Sequence, residues 1–372
     1  MAFGDNGLIK QAQLAKDMAA NSTVAEQEGM NSLMDEYANL LAEDSEIPIE
    51  PTIPTTIAEA KENGTKFTET TPLKDDLGNT VYIPGGFHVD KEDSGTKVED
   101  GIVIEDDTEN QNQFVWIPTG TYETTDTEEP TKTNELTRRQ WATTANTVQE
   151  PTPITGDEVA AGYNGNQYYY GEGDSRSCTI SNGVNSIQTF KTSASPRSET
   201  NLNGHGGFYI GRYEQGTGNV CKAGVEPYVN VTRDEAKTAA ESMYIGNTNI
   251  KATSQLISSY AWDTALNFVC QNSEYGYTLA TTTDNKYGNI GTDNLTQTGE
   301  YPVDKYSNIL DFIGNRREWT TEYSSYSDGN LSYPCVGRGG SYVNSSGYAS
   351  SRSVVEKDRA EIYYSFRIQL FL

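Results

Sequence analysis

The chain has 372 residues, a hydrophobic content of 35% and a formal net charge of −26. This length exceeds that of one ordinary domain and predicts two units, or one domain with a large appendage. The charge repels phosphate backbones, which argues against nucleic acid as a partner. Residues 91–130 hold 12 acids and 2 lysines, a net charge of −10, whereas residues 303–372 hold 8 acids and 8 bases. We interpret the acidic stretch as a solubilising surface, with calcium ligation as the alternative.

Residues with strong metal-binding or nucleophilic chemistry are few. The two histidines, His88 and His205, leave almost no material for histidine metal sites or Ser-His-Asp triads. The four cysteines are Cys178, Cys221, Cys270 and Cys335. None of them forms a CxxC pair, so zinc ribbons and thioredoxin motifs are excluded. In an exported chain they allow three disulfide pairings, and free buried thiols are the alternative.

Apolar residues recur at helical spacing through residues 1–45 and predict a long amphipathic helix. The clearest set is Met30, Leu33, Met34, Tyr37, Leu40 and Leu41. No apolar run in the chain approaches the ~18 residues of a membrane span. Proline first occurs at Pro48, so we expect the helix to protrude and residues 46–79 to form a Pro/Thr-rich linker.

The segment from Gly4 to Ala12, Gly-Asp-Asn-Gly-Leu-Ile-Lys-Gln-Ala, resembles a junction in type IV pilin-like proteins of Gram-positive bacteria. In that family an apolar export helix runs into a Gly-Asp/Glu-Asn-Gly-Leu-Ile segment. The resemblance implies that the membrane part of this helix has been removed and that the rest anchors the protein to a pilus or membrane. It also implies an extracellular location, at the cell surface or on a pilus of a bacterium. A generic amphipathic N-terminal helix is the alternative.

Short strand-like runs follow the linker. Residues 80–84, Thr-Val-Tyr-Ile-Pro, and residues 113–118, Gln-Phe-Val-Trp-Ile-Pro, are rich in the β-branched and aromatic residues that strands prefer. Residues 119–206 are largely polar and lack apolar periodicity. They are expected to form inserted loops, with some helix around residues 136–141.

Regular structure is expected to resume at residues 207–214, Gly-Phe-Tyr-Ile-Gly-Arg-Tyr-Glu, which favour a strand. A helix is predicted over residues 232–244, because Thr232 is a good N-cap and Glu235 completes a capping box. A second helix is predicted over residues 259–272, whose apolar side chains share one face. Two helices followed by Gly-, Asn- and Tyr-rich strands indicate an α+β fold.

The order of motifs resembles the formylglycine-generating-enzyme-like branch of the C-type lectin fold. The matching motifs are the strand at 207–214, the Val-Thr helix entry at 231–232, Leu310-Asp-Phe-Ile-Gly-Asn-Arg-Arg-Glu-Trp-Thr320, Gly337-Arg-Gly-Gly-Ser-Tyr342 and Phe366-Arg367. The resemblance implies that residues 80–372 form one loop-rich C-type lectin-like domain. Its recognition region would then be residues 338–372.

The motif residues also have structural explanations. Gly314 suits a left-handed turn that the Asn315 side chain closes. The pair at 339–340, Gly-Gly, lets two backbone segments approach closely. Trp319 is large enough to anchor a core with few aliphatic residues.

Three arginines of the recognition region are expected to tie loops together, because each guanidinium offers a fork of donors. They are Arg338, Arg352 and Arg367. Their expected partners are backbone carbonyls and the carboxylates of Glu318 or Asp311.

The resemblance also implies a metal. Proteins of this branch hold calcium near the Gly-Asn-x-x-Glu-Trp turn, and Asn315 and Glu318 could supply hard oxygen ligands. A purely structural role is the alternative for both residues. No other cofactor is expected.

The oxidases of the branch place a reactive, metal-binding cysteine pair after the Arg-Gly-Gly-Ser motif. This chain has no cysteine after Cys335, and the corresponding residues 342–348 are Tyr-Val-Asn-Ser-Ser-Gly-Tyr. Serine and tyrosine cannot replace thiolates as soft copper ligands. We therefore expect a protein that is not an enzyme, and keep a formylglycine-generating-type oxidase or enzyme-derived domain as the alternative.

Between Ser341 and Ser365, 13 of 25 residues are Ser, Tyr, Asn or Gly, a composition typical of paratopes. Fixed blocks alternating with such clusters resemble the variable proteins of diversity-generating retroelements, in which a reverse transcriptase substitutes at adenines of the terminal repeat. The resemblance implies an adhesin whose exposed variable face binds protein or glycan partners. The expected variable residues are Tyr342, Val343, Asn344, Ser345, Tyr348, Val354, Val355, Ile362, Tyr363 and Tyr364. A fixed adhesin that never diversifies is the alternative.

Overall fold

The computed structural model describes most of the chain beyond residue 52. The described residues are 53–154, 205–301, 303–324, 326–329, 331–343 and 347–372, with short pieces at 10–11, 13–14, 16, 31–36, 160–161 and 168–172. The chain divides into two units, Met1–Ile53 and Pro54–Leu372. Among the described residues, none of the helices has both the length and the apolar character needed to cross a lipid bilayer.

The described pieces of the first unit are helical. Residues 31–36 form continuous helix, and Leu14 and Leu33 are 65% and 47% exposed. The rest of the long helix predicted over residues 1–45 lies outside the described residues. The likeness of the Gly4–Ala12 segment to pilin junctions therefore stays a prediction.

The linker expected over residues 46–79 is wrong from Pro54 onward, where the second unit begins. Helix α1, Ile57–Asn63, starts with a complete capping box between Thr56 and Glu59. Its Ile57 and Ala60 side chains are fully buried in the hydrophobic core. The physical reason is that a short, capped helix can pack on the core through only two apolar residues at i and i+3 spacing. A pattern this short is hard to recognise in a Thr-rich stretch of sequence.

The second unit is a mixed, sheet-rich and loop-rich α+β structure. Its other α-helices are α2 Arg233–Ser242, α3 Ser259–Asn272 and α4 Thr278–Thr281, and a 3-10 turn covers Val98–Asp100. The strands are β1 Thr71–Lys74, β2 Thr80–Ile83, β3 Phe87–Val89, β4 Val103–Asp106, β5 Gln113–Pro118, β6 Gly120–Glu123, β7 Thr131–Asn134, β8 Arg138–Gln140, β9 Thr152–Ile154, β10 Ala160–Ala161, β11 Tyr168–Glu172, β12 Gly207–Gly211, β13 Thr253–Leu256, β14 Lys305–Tyr306, β15 Ile309–Leu310, β16 Arg317–Ser324, β17 Ser327–Asp328, β18 Leu331–Ser332, β19 Cys335–Arg338, β20 Arg352–Val355, β21 Tyr364–Phe366 and β22 Ile368–Phe371.

The first large sheet has six antiparallel strands in the order β13-β22-β12-β5-β4-β3. Strand β12 lies between β5 and β22, with Tyr209 opposite Trp116 on one side and Leu370 on the other. All five residues of β12 are buried, as expected for a strand covered on both faces. Gly207 is required there, because a Cβ atom would lie 2.2 Å from the Trp116 ring.

The second large sheet runs β10-β11-β16-β19-β20, and β21 pairs with β16 in parallel. Its central strand β16 carries Trp319, which is fully buried, so the predicted core anchor is confirmed. Strand β21 ends at Phe366 and β22 begins at Ile368. The chain thus passes from the second sheet to the first through one residue, Arg367.

Both helices predicted in the middle of the chain are confirmed. Helix α2 has the expected capping box between Thr232 and Glu235. Helix α3 has the expected bounds and takes its N-cap from Ser258, whose hydroxyl accepts from the Ala261 amide. Twelve of its residues, from Ser259 to Cys270, are buried, so α3 lies inside the unit and is covered on all sides.

The helix expected around residues 136–141 is wrong. Arg138–Gln140 forms strand β8, paired with β9. The Arg139 amide and the Trp141 indole N–H donate to the Asp263 carboxylate at 2.7 and 2.8 Å. These tertiary hydrogen bonds favour an extended backbone. Leu136 and Trp141 also join the hydrophobic core, so this part of the inserted loops packs on the main body.

Candidate ligand-binding surface at the C-terminus

A buried network of ion pairs underlies the recognition region. Arg338 on β19 lies directly opposite Arg352 on β20, an arrangement of like charges that would repel without nearby acids. Asp263 on α3 accepts from Arg338 Nη2 at 2.5 Å and from Arg352 Nη2 at 2.6 Å. Glu322 on β16 accepts from Arg352 Nε at 3.1 Å with both carboxylate oxygens. We call these four residues the Asp263 network.

The Asp263 network corrects one expectation about arginine partners. Arg338 and Arg352 bind Asp263 and Glu322, and neither pairs with Glu318 or Asp311. All four members have side chains that are at most 1% exposed. Their attraction lowers the pKa of Asp263, although burial opposes this effect. The network therefore fixes β19 and β20, which flank the loop of residues 339–351, to the helix α3.

A second buried network lies where the two sheets meet. Arg367 donates to Glu318 through Nε and Nη2 at 3.1 and 2.8 Å, as predicted. It also donates to the Gly211 carbonyl at 2.7 Å and the Leu310 carbonyl at 2.9 Å. The expected tie of Arg367 to carbonyls and to Glu318 is confirmed. Asp311 instead accepts from the Gly299 amide at 2.6 Å.

The Gly-Asn turn differs from the prediction in one detail. The left-handed residue is Asn315, with φ 63°. Gly314 is needed for close approach, because a Cβ atom would lie 2.4 Å from the Asn289 carbonyl oxygen. Glu214 holds this turn by accepting from the Asn315 side-chain amide at 3.0 Å and from the Arg316 backbone amide at 2.7 Å.

The calcium site expected at Asn315 and Glu318 does not fit this geometry. Asn315 Oδ1 accepts from Asn289 at 3.1 Å, from Thr296 at 3.0 Å and from Arg316 at 3.1 Å. Both Glu318 oxygens accept from Arg367. Their lone pairs are committed to the protein, whereas calcium needs six to eight free oxygen ligands. Within the described residues, no group of three or more His, Cys, Asp or Glu side chains is arranged to hold a metal.

Four buried carboxyls surround the second network. They are Glu214, Asp304, Asp311 and Glu318. Burial raises the pKa of Asp304 to about 8, that of Glu318 to about 7 and that of Asp311 to about 6. It also raises the pKa of Glu214 well above its ordinary value. The nearby guanidiniums of Arg316 and Arg367 oppose these increases without cancelling them.

The ten expected variable residues differ in how far their side chains are exposed to solvent. Asn344 and Ser345 lie outside the described residues. Val343 and Ile362 are 39% and 44% exposed. Val354 and Tyr363 are half-buried. The four buried side chains are Tyr342, Tyr348, Val355 and Tyr364. The expectation that all ten share an exposed face is therefore wrong for these four.

Tyr364 is the clearest structural member of the set. Its ring stacks on Trp319 with centroids 4.3 Å apart and an interplanar angle of 14°. It also occupies the space above Gly337, where a Cβ atom would lie 2.5 Å from the ring. Val355 is buried opposite Cys335 in the β19–β20 ladder. These residues hold the sheet together and leave the neighbouring positions to face solvent.

Two segments of the recognition region meet through a pair of tyrosines. Tyr342 and Tyr363 have ring centroids 6.2 Å apart, which joins two segments separated by 20 residues of sequence. The Arg316 guanidinium lies 4.6 Å from the Tyr342 ring centroid and supports it by a cation–π interaction. The exposed Val343 and Ile362 are the chain neighbours of these tyrosines. We call Val343, Ile362 and Tyr363, together with the buried Tyr342 that supports them, the C-terminal patch.

Sequence reasoning missed a loop beside the C-terminal patch. The Gly291 amide donates to the Ser341 carbonyl at 3.1 Å, and the Asp293 amide donates to the Tyr342 carbonyl at 2.9 Å. Leu295 in the same loop is 50% exposed. No local signal in residues 289–296 could have indicated this contact, because it depends on the hydrogen bond between Asn289 and Asn315.

We predict that Asp263→Ala lowers the free energy of unfolding by about 3–5 kcal/mol, because it leaves two buried guanidiniums without their shared carboxylate. Urea unfolding measures the change. The matched control is Asp284→Ala, an exposed aspartate paired with Lys286 at 3.1 Å, which should leave the unfolding midpoint unchanged. Equal effects of the two substitutions would contradict the assigned role of the network.

The raised pKa of Asp304, about 8, predicts a pH-dependent stability. The folded protein holds this proton after the unfolded chain has lost it, so the contribution of Asp304 declines as pH rises from about 4 to about 8. In Asp304→Asn the unfolding free energy should fall less over this window than in the unchanged protein. Urea titrations at a series of pH values test this, and parallel pH profiles for the two proteins would rule it out.

Comparisons with known proteins give distant structural likenesses only. No family model and no curated protein sequence matches the chain. The crystal structure of CarF is 14% identical, with a TM-score of 0.36, over 45% of this chain and 87% of that one. PvdO from Pseudomonas aeruginosa is 12% identical, with a TM-score of 0.39, over 73% and 98%. Treponema denticola variable protein 1 is 12% identical, with a TM-score of 0.34, over 71% and 98%. Scores this low assign neither a family nor a function.

Proposed function

We propose that this chain is a ligand-binding protein whose C-terminal patch contacts protein or glycan partners. The observation that carries the proposal is the contact between Tyr342 and Tyr363, each of which has an exposed aliphatic neighbour in the chain, Val343 and Ile362 respectively. Exposed aliphatic side chains grouped with tyrosine are typical of contact surfaces. Nothing in the folding of the core requires Val343 or Ile362 to be apolar, since both lie at its margin.

The support beneath the patch favours binding over a passive surface. Tyr342 is held by Arg316, whose backbone amide donates to the buried Glu214. Residues of β21 next to Tyr363 are held by the stack of Tyr364 on Trp319. Side chains fixed in advance lose little conformational entropy when a partner binds, which improves affinity.

We further propose that the second unit has a C-type lectin-like fold of the formylglycine-generating-enzyme-like branch. The support is that its motif residues have a structural role in the buried interior. Glu318, Trp319, Arg338 and Arg367 are all fully buried, and Arg367 connects Glu318 of the second sheet to Gly211 of the first. The motifs are thus explained by folding alone, which leaves the intervening positions available for recognition.

Diversification by a retroelement is proposed for a smaller set than the sequence indicated. Val343, Ile362 and Tyr363 are accessible and lie beside a fixed scaffold, so changes there are compatible with folding. Asn344 and Ser345 stay in the proposal as predictions. The buried residues Tyr342, Tyr348, Val355 and Tyr364 are better explained as structural.

The N-terminal unit is proposed to anchor the protein to a bacterial cell surface or pilus. The support is the helical state of its described residues, with Leu14 and Leu33 largely exposed. Exposed apolar residues on a helix suit packing against other helices or a membrane surface.

The alternative, a formylglycine-generating-type oxidase or enzyme-derived domain, is disfavoured by its cysteines. Cys221, Cys270 and Cys335 are buried, and Cys178 lies outside the described residues. Burial raises the pKa of the Cys221 thiol to about 11 and that of the Cys270 thiol further. Copper ligation and thiol oxidation both require a thiolate that solvent can reach. The proposal therefore remains a binding protein without enzymatic activity.

A display library tests the binding surface. Val343, Ile362 and Tyr363 are randomised, and the library is selected on immobilised lysozyme and on a glycan array. We expect most members to fold and specific binders to emerge, because the varied side chains sit on a fixed base. A control library varies Val148, Thr238 and Ile245, three exposed residues outside the patch. Loss of folding in most patch variants, or equal yields of binders from both libraries, would refute the proposed surface.

The retroelement is tested at the gene. We expect a near-copy of the segment coding for residues 338–372 close to this gene, differing mainly at adenines and lying beside a reverse transcriptase gene. Sequencing of the locus decides the point. A locus with neither feature would reduce the proposal to a fixed binding protein.

A further inference from the structure

An exposed tyrosine marks a pocket that shares no residue with the C-terminal patch. Tyr275 is 42% exposed. It lines a cavity of about 480 Å³ together with Val303, Lys305 and Tyr306. Its ring offers an apolar face and a polar hydroxyl to a ligand in this cavity.

The Tyr275 ring is fixed before any ligand arrives. It lies edge-on to Tyr287, with centroids 5.0 Å apart, and to Tyr306, with centroids 6.4 Å apart. The Tyr306 hydroxyl donates to the Tyr287 carbonyl at 2.8 Å, which links the two supporting residues. The Tyr275 amide donates to the Ser273 hydroxyl at 3.2 Å. A ring held in this way loses little entropy on binding.

The rim of the pocket is polar and carries one weakly neutralised cation. Lys305 Nζ lies 3.9 Å from Asp93, and the other oxygen of Asp93 already pairs with Arg212 at 2.6 Å. The charge of Lys286 is more closely neutralised than that of Lys305, since Lys286 pairs with Asp284 at 3.1 Å. Because a surface pair at the distance of Lys305 and Asp93 contributes little, Lys305 is available to a ligand anion.

Hydroxyl and carboxylate groups complete the rim. Ser273 and Glu274 both line the cavity beside Tyr275. Glu274 interacts with the Tyr275 hydroxyl and raises its pKa. Val303 is the one exposed aliphatic residue there, too little apolar surface for the side chains of a peptide. The lining instead combines one flat apolar ring with several polar groups.

We propose that this pocket binds a saccharide that carries a carboxylate. A pyranose has a flat face of C–H groups that stacks on an aromatic ring, while its hydroxyls exchange hydrogen bonds with Ser273 and Glu274. The ligand carboxylate then pairs with Lys305, a charge-assisted hydrogen bond that is stronger than a neutral one. The site is independent of the C-terminal patch and of its proposed function.

The test compares glucuronic acid with glucose by saturation-transfer-difference NMR on the full chain. We expect ring-proton signals from both sugars, with binding of glucuronic acid tighter by about tenfold, which corresponds to about 1.4 kcal/mol. Tyr275→Ala should abolish both sets of signals. Lys305→Met, which keeps the aliphatic stem, should remove only the preference for glucuronic acid.

The control is Ile245→Ala, a 78% exposed residue outside both the pocket and the C-terminal patch, which should bind both sugars like the unchanged protein. Urea unfolding of each variant checks that the fold is retained. Absence of signals from both sugars, or signals that persist in Tyr275→Ala, overturns the proposal. Equal affinities for the two sugars overturn the role of Lys305.

Discussion

The structure depends on a carboxylate, Asp263, that is fully buried on helix α3. It accepts hydrogen bonds from Arg338, from Arg352 and from the 139–141 segment. With 35% hydrophobic residues, the chain cannot join all of its elements through apolar contacts. A paired charge in a dry interior does this because each partner would be costly to bury alone. Helix α3, two strands of the second sheet and the 139–141 segment are therefore held together.

The second network differs from the Asp263 network in its balance of charges. Four buried carboxyls surround Arg316 and Arg367, so acids outnumber the guanidiniums that face them. Burial then raises the carboxyl pKa values until some of these groups can hold a proton near neutral pH. The same network supports the C-terminal patch, because Glu214 orders the backbone of Arg316 and Arg316 lies over Tyr342. Recognition and internal electrostatics are thus physically connected.

The last 35 residues, whose sequence resembles a variable region, contain both contact residues and core residues. Tyr363 is half-buried at the patch, while Tyr364 is buried against Trp319. The two residues are adjacent in the chain, so a difference of one position separates a contact residue from a core residue. Composition cannot reveal this difference. Four of the ten expected variable residues are buried.

Local signals in the sequence determined several features of this protein. The capping box of Thr232 and Glu235, the bounds of helix α3 and the buried Trp319 were all predictable from motifs of a few residues. Only the tertiary structure decided that Arg338 and Arg352 meet Asp263, 75 and 89 residues away, and that residues 138–140 form a strand. Caps and periodicity act within a few residues, whereas ion-pair partners and exposed faces depend on which strands pair and in which register. That pairing is a property of the whole chain.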